Sequence, residues 1–371
     1  MPRIESKLGT KLKSAGVEIK PKSHEQLWKG PEVDGVTQSM LSSFLVCRER
    51  FRVKTILGLR SADGFNSRME YGQMWHILEE CHAHGKRDGA AELKEYCKGL
   101  CKRYPLQQED VLKWYNVCLT QFPIYVEFWA KNKDVVDRTP VFQEEVFDVP
   151  YELPSGRVVR LRGKFDAVDA IGKGKAVGIY LQENKTKGDI DELKLQRQLQ
   201  FDLQTMLYLV ALDEIQSERQ LTQAKKNPPI RGVRYNVIRR PLSGGRGSIR
   251  KHQATKNKAE ETDEEYYARL GAIMEEESAY FFMRWKVEIS QSDVARFCKM
   301  CLNPLLESLC QWYDWIKDNP DPFAPNPHHF TTPFGLYHAL AEGGSTDVDE
   351  YILEGNEVGL QRADRLFGEL Q

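Results

Sequence analysis

The stretch "VFQEEVFDVPYELPSGRVVRLRGKFDAVDAIGKGKAVGIYLQENK", from Val141 to Lys185, limits the fold more than any other part of the chain. Its residues alternate in polarity and are interrupted twice by turn formers, Pro154-Ser155-Gly156 and Gly172-Lys173-Gly174. That pattern predicts three strands, roughly 141–149, 157–170 and 176–184. The last begins as the apolar run "GIYL", as a buried strand does, and ends in Glu183, Asn184 and Lys185. Residues two apart on a strand share a face, so Glu183 and Lys185 leave it on the same side. A carboxylate beside an apolar run needs a partner, and a hard cation is one.

The flanking segments supply helices. "VTQSMLSSFLVCRERFRVKTILGLR" has a cap in Thr37 or Ser39 and a stripe of Met40, Leu41, Phe44 and Leu45. "SRMEYGQMWHILEECHAHGK" places Met74, Ile77, Leu78 and Cys81 on one face, and residues 90–133 read as a helical lobe. After Lys185, a helix is expected over roughly 195–213, then a fourth strand in "IRGVRYNVIRR", then helix over 262–318. Helix, three strands, helix and strand describe a mixed α/β sheet flanked by helices, with a helical lobe.

Residues 1–35 read as a flexible basic arm, 36–330 as one domain with a helical insertion over about 90–135 and a mobile basic loop over about 240–258, and 331–371 as a C-terminal tail. No apolar run approaches the roughly 18 residues that a bilayer span needs. The polar N-terminus has no apolar signal core, so an intracellular, cytoplasmic protein is expected. The net charge of −1 conceals an uneven distribution: Arg219 to Lys258 holds twelve Lys or Arg and no Asp or Glu, and the acidic "ETDEEYYARLGAIMEEES" follows. The eight cysteines, in a chain of this kind, read as thiols.

Asp166 lies in "LRGKFDAVDA", and Glu183 follows 17 residues later, beyond the Gly-Lys-Gly turn. A hairpin of that length sets the two carboxylates and Lys185 at one edge of the sheet, a set suited to Mg²⁺ or Mn²⁺ rather than Zn²⁺. His76 stands four residues after Gly72 on an apolar helix, where a histidine is either a packed core residue or a ligand. Gln204 and Tyr208, four apart, share a helix face.

The order Gly72-x3-His76, Gly163-x2-Asp166, Glu183-x-Lys185, Gln204-x3-Tyr208 over helix, strand, strand and helix resembles the PD-(D/E)XK nuclease superfamily. It looks most like the RecB-like branch of phage exonucleases and CRISPR-associated adaptation nucleases. "TQSMLSSFLVCRERF" resembles that branch's N-terminal segment, with Arg48 where a proline is usual, and "YNVIRRP" and "ETDEEYYARL" look like phage-encoded members. The resemblance implies a restriction-endonuclease-like core and a metal-dependent DNA exonuclease leaving 5′-phosphate and 3′-hydroxyl ends, used in phage-type recombination, replication or repair. It implies Asp166, Glu183 and the backbone carbonyl of Asn184 as metal ligands, His76 as a ligand or orienting group for a second ion, and Glu80 as its support. Lys185 would position water and stabilise charge, and Gln204 and Tyr208 would hold the scissile phosphate. For a phage-encoded chain it implies the host cytoplasm, and a recombinase or single-strand-binding protein as partner.

Arg160, Arg162 and Lys164 share one strand face leading to Asp166, and Lys187, Arg234, Arg239 and Arg240 lie on the neighbouring strands. Beside a carboxylate site these read as a groove tracking DNA phosphates, independent of sequence. Arg246, Arg250 and Lys251 of the loop read as solvated surface or as more of that groove. Trp285, Tyr266 and Tyr267 read as core packing rather than base stacking. Many RecB-like relatives hold an iron–sulfur cluster, which would use Cys47, Cys298, Cys301 and Cys310 here, yet the late segment "NPHHFTTPFGLYHAL" has no cysteine, so thiols are expected. His328, His329 and His338 read as surface histidines. A structure-specific endonuclease and a non-catalytic DNA-binding or assembly protein on the same fold are the alternatives, and the four intact motif groups favour an enzyme.

Overall fold

The computed structural model describes residues 26–61, 65–85, 88–135, 137–199, 202–223, 228–242, 249–256, 259–318, 360–362, 366–367 and 370. The chain divides into two compact units. One comprises residues up to 63, 150–162 and 301 onward, and the other comprises 64–149 and 163–300.

In the first unit, helix α1 (Gln38–Val46) starts at Thr37, whose side chain accepts the Met40 N–H at 3.4 Å, and buries Met40, Leu41 and Phe44. Phe44, Phe51 and Trp312 pack edge to face, and Trp28 packs the same way on Phe51 and Tyr313. Trp28 is fully buried, so the end of the expected N-terminal arm is packed. Residues 1–25 and the histidines at 328, 329 and 338 lie outside the described residues.

The second unit carries the expected helical lobe. Helices α2 (Ser67–His84), α3 (Gly89–Arg103) and α4 (Gln108–Lys131) enclose Tyr71, Trp75, Leu93, Leu100, Val117 and Cys118. Side chains cap two of them: Asn66 accepts the N–H groups of Arg68 and Met69 for α2, and Asp88 those of Ala90 and Ala91 for α3.

The five sheet strands, in chain order, are β1 (Arg138–Glu152), β2 (Val158–Ile171), β3 (Gly178–Lys187), β4 (Ile230–Arg239) and β5 (Phe282–Glu288), and they neighbour one another in that order. β2 and β3 are antiparallel, β3 and β4 parallel, and β4 and β5 antiparallel. A parallel pair needs a crossover, which helices α5 (Glu192–Leu199) and α6 (Leu203–Gln223) provide. The sheet is mixed and flanked by helices, as expected of a restriction-endonuclease-like fold.

Two expectations need correction. The single helix foreseen over 195–213 is two, Glu192–Leu199 and Leu203–Gln223, and the second starts at Asp202, whose carboxylate accepts the Thr205 N–H at 3.2 Å, as an N-cap does. The all-helical reading of 262–318 missed β5. "FMRWKVE" alternates Met283, Trp285 and Val287 with charged residues, a strand period, and it pairs with β4 from Ile238↔Phe282 to Gly232↔Glu288.

Candidate active site

The β2–β3 ladder runs from Ile171↔Gly178 to Ala167↔Gln182. One step further, the Asp166 carboxylate accepts the Asn184 N–H at 2.7 Å. At this point a side chain receives a backbone donor, and β2 and β3 bring the carboxylates of Asp166 and Glu183 together.

On one side of β3, Glu183, Lys185 and Gln204 of α6 close a hydrogen-bonded triangle. Lys185 Nζ donates to Glu183 Oε1 at 2.7 Å and to Gln204 Oε1 at 2.8 Å, and Gln204 Nε2 donates to the same Glu183 oxygen at 2.7 Å. The other oxygen, Glu183 Oε2, is buried without a partner. Tyr208 lies one turn along α6 from Gln204, hydrogen-bonded with it and with the Lys164 backbone, and packs edge to face on Phe147 and Phe165. All four α6 and β3 residues of the motif therefore meet.

His76 of α2 stands beside Asp166. Its Nδ1 is 3.6 Å from Asp166 Oδ1 and 3.6 Å from Glu144 Oε1. Glu144, on β1, was not foreseen. Its side chain is 5% exposed, and its second oxygen is 2.9 Å from Lys164 Nζ, which also lies 3.7 Å from Glu80. Among the described residues, His76, Glu144 and Asp166 form the group of three whose donor atoms lie within 4.8 Å of one another. Glu144 has φ 48°, a left-handed conformation unusual for a residue with a side chain, in the middle of a strand. In the sequence only a second acidic residue at a strand position, in "FQEEVF", hinted at it.

Burial sets the electrostatics. It raises the Glu183 carboxyl to about 7, with the Asp166 charge adding to the rise and Lys185 opposing it. Burial and Glu144 also raise Asp166, against the opposing pull of His76. Burial alone would lower His76 and Lys185, but Asp166 and Glu144 carry His76 up to about 9, and Glu183 raises Lys185. Glu144 is held below the usual carboxylate range: His76 and Lys164 outweigh the effect of its burial. Crowded carboxylates, two of them (Glu183 and Glu144) with a buried oxygen that has no hydrogen-bond partner, suit a divalent cation that would take over the role of their protons. His76, Asp166 and Glu144 are the group whose donor atoms converge as such a cation needs. For Asn184, the described contacts are its N–H to Asp166 and its side-chain oxygen, which accepts from Asn236 Nδ2 at 2.8 Å.

The sequence model of the PD-(D/E)XK nuclease superfamily matches residues 36–302. The chain belongs to the PD-(D/E)XK nuclease superfamily. A comparison with curated proteins finds no match. Membership makes the protein a nuclease, and the superfamily works with divalent metals on nucleic acid.

The glycines of the superfamily motifs differ in what holds them. A Cβ on Gly163 would lie 2.4 Å from Phe147 Cζ and 2.9 Å from Tyr208 Cε1, so packing at the site excludes a side chain there. A Cβ on Gly72 would meet only Thr186 Oγ1, at an ordinary 3.5 Å.

The foreseen basic groove is largely occupied within the nuclease itself. Arg234, 2% exposed, donates to Asp169 at 3.1 Å, Gln182 at 3.2 Å and Asp134 at 2.7 Å. Arg239 is buried against Asp189 and the Tyr280 ring, and Arg240 donates to the Thr186 carbonyl. Arg160 and Arg162 donate to the carbonyls of Val33 and Asp34. Lys187 is half-buried, and burial with Lys185 nearby lowers its ammonium below the usual range. Lys251 of the loop is paired with Asp263 at 2.8 Å, and Arg246 lies outside the described residues. Trp285 faces Tyr235 on the sheet, and Tyr266 is buried with its hydroxyl on the Ile249 carbonyl. All eight cysteines are free thiols: Cys47 and Cys310 are buried, Cys298 is half-buried and Cys301 exposed, and none joins a converging ligand group among the described residues. No helix among the described residues is long and apolar enough to cross a membrane.

Proposed function

We propose that this nuclease is a RecB-like DNA exonuclease that uses Mg²⁺ or Mn²⁺ and leaves 5′-phosphate and 3′-hydroxyl ends, in phage-type recombination, replication or repair. The observation that carries the reading is the convergence of Asp166, Glu183, Lys185 and Gln204, with Glu183 Oε2 buried and unpartnered. A divalent cation, when bound, supplies positive charge at the phosphate and lowers the pKa of water. The protein's own groups do the rest. Lys185, charged and held by Glu183 and Gln204, faces the place where charge develops on the phosphate and orients the attacking water. Gln204 fixes the Glu183 carboxylate in one rotamer, and Tyr208 fixes Gln204. Glu144 and Asp166 both lie 3.6 Å from His76 Nδ1 and hold that ring nitrogen between them, and Glu144 also pairs with Lys164 at 2.9 Å. A recombinase or single-strand-binding protein is the partner that this activity calls for.

The test is digestion of linear and circular DNA, single- and double-stranded, by wild type and by Asp166→Ala and Lys185→Ala. Loss of metal-dependent digestion in both variants, with salt-sensitive DNA binding retained, is the expected outcome. Digestion that survives either change refutes the site, and digestion of circles refutes the exonuclease.

A further inference from the structure

A cavity of about 680 Å³ lies beside Asp166 and Glu144. It sits on the face of β3 opposite Glu183 and Lys185, because Gln182 and Asn184 line it and alternate with them. Its volume falls in the range of ligand pockets, of order 300–1,000 Å³.

The floor is polar and internally wired. Asn236 of β4 bridges β3 and β5: its Nδ2 donates to Asn184 Oδ1 at 2.8 Å, and its Oδ1 accepts from Arg284 Nε at 3.0 Å. Tyr125 of α4 accepts from Asn236 at 2.8 Å and from Arg284 at 2.6 Å. The Arg284 guanidinium lies 4.1 Å from the centre of the Trp129 ring. Asp134 and Asp169 meet the charges of Arg234, Arg138 and Arg284, and Glu79, Asp137, Glu144 and Asp166 also line the cavity, so it does not favour a free phosphate.

Unpartnered donors remain. Arg234 Nε, Gln143 Nε2 and Trp129 Nε1 are buried without acceptors, and all three residues line the cavity. Buried polar atoms left so are rare and call for a ligand or water. Among the described residues, the two non-glycine residues with positive φ, Asp137 and Glu144, also line it. Backbone strain of this kind gathers at ligand clamps. Glu144 Oε1 at the rim is likewise buried without a hydrogen-bond partner, so the occupant must offer both acceptors and a donor, with a flat face for the aromatic wall and little charge of its own, which describes a nucleobase.

We propose that this cavity seats the unpaired base of the nucleotide flanking the scissile phosphate, which makes the substrate single-stranded DNA or a frayed end. Asp166 and Glu144 belong both to the cavity rim and to the metal-fitted group, so a base in the cavity is one linkage from the phosphate at the metal. A base can enter such a pocket only after leaving its stack and its partner. The proposal rests on the nuclease reading above.

Two arms test it with the full-length protein. In the first, thymidine 5′-monophosphate, deoxyribose 5-phosphate and inorganic phosphate are titrated calorimetrically into metal-free protein in EDTA. Binding of the nucleotide, weakened in both Trp129→Ala and Gln143→Leu, is expected. Equal binding of all three would overturn the proposal, and so would nucleotide binding that neither variant alters. In the second arm, an abasic residue is walked along a single-stranded oligothymidylate and single-turnover cleavage is followed. The rate should drop about 5- to 100-fold at one position relative to the cut, the size of a lost base–aromatic stack, and Trp129→Ala should abolish that dependence. Cleavage indifferent to the abasic position overturns the pocket. Nucleotide binding without any DNA cleavage leaves the pocket standing and refutes the nuclease reading instead.

Discussion

Gly163→Ala places one methyl group at the junction of scaffold and site. The new Cβ would lie 2.4 and 2.7 Å from Phe147 Cζ and Cε1 and 2.9 Å from Tyr208 Cε1. Carbon atoms pack at about 3.5–4.0 Å, so the Phe147 ring must retreat by at least about 1 Å. It has little room: Phe147 and Tyr208 are 3% and 9% exposed, and both pack against Phe165, Phe147 tilted and Tyr208 edge to face, with ring centres 4.5 and 5.8 Å away. Overpacking of this kind costs about 1–3 kcal/mol, and three close contacts with buried rings place it in the upper half. At about 2–4 °C per kcal/mol for a unit of this size, thermal denaturation by circular dichroism should show a fall of roughly 4–12 °C. The same shift moves Tyr208 away from Gln204, so single-turnover DNA digestion should fall about tenfold. Phe147→Leu removes the two offending ring atoms. In the Gly163→Ala background it should therefore cost at least about 1 kcal/mol less than in wild type, a coupling that a double-mutant cycle reads directly. A single variant that melts within about 1 °C of wild type, or a cycle with no coupling, would refute the reasoning.

Gly72→Ala should behave in the opposite way. Its Cβ meets only Thr186 Oγ1 at 3.5 Å, and glycine inside a helix costs roughly 0.5–1 kcal/mol relative to alanine, so the variant should melt slightly higher. Reduced digestion in that more stable protein would mean that substrate backbone passes against the helix there, and full activity would exclude it. The acidic group also predicts a pH dependence. Glu183 is raised from 4.5 to about 7 and His76 from 6.5 to about 9, so between these values the folded, metal-free protein holds protons that the unfolded chain releases. Their stabilisation is complete below the unfolded values and is lost as pH rises, for Glu183 by on the order of 3 kcal/mol up to pH 7. Melts of metal-free wild type and Glu183→Gln, a neutral isostere of the protonated side chain, should lie close together at pH 5 and separate as pH rises to 8, wild type falling below the variant; parallel curves would contradict the burial of that proton.

Much of the core was legible because it is local. Strand period, turn residues and the two-residue spacing of Glu183 and Lys185 survive in one dimension, and so does the four-residue spacing of Gln204 and Tyr208. β5 was legible too, in the alternation of Met283, Trp285 and Val287, but the helices on either side of it obscured that short period. The break at Asp202 left a cap residue in the sequence and no interruption of the apolar pattern.

By itself the sequence determined which residues share a face on each element, since backbone geometry sets that period wherever the element lies. It thereby placed a carboxylate and an ammonium together at the end of a buried strand. Only the tertiary structure decided what stands across from them. Glu144 reaches His76 because β1 lies beside β2 and turns through a left-handed residue, which no periodicity encodes. Arg234 looks like a phosphate ligand in a basic run, yet strand order buries it against Asp169 and Asp134. The cavity is lined by all five strands of the sheet and by helices α2 and α4, so it exists in no single segment. Spacing along the chain carries information over one or two turns, and contact across the sheet depends on which strands pair and where their ladders stop.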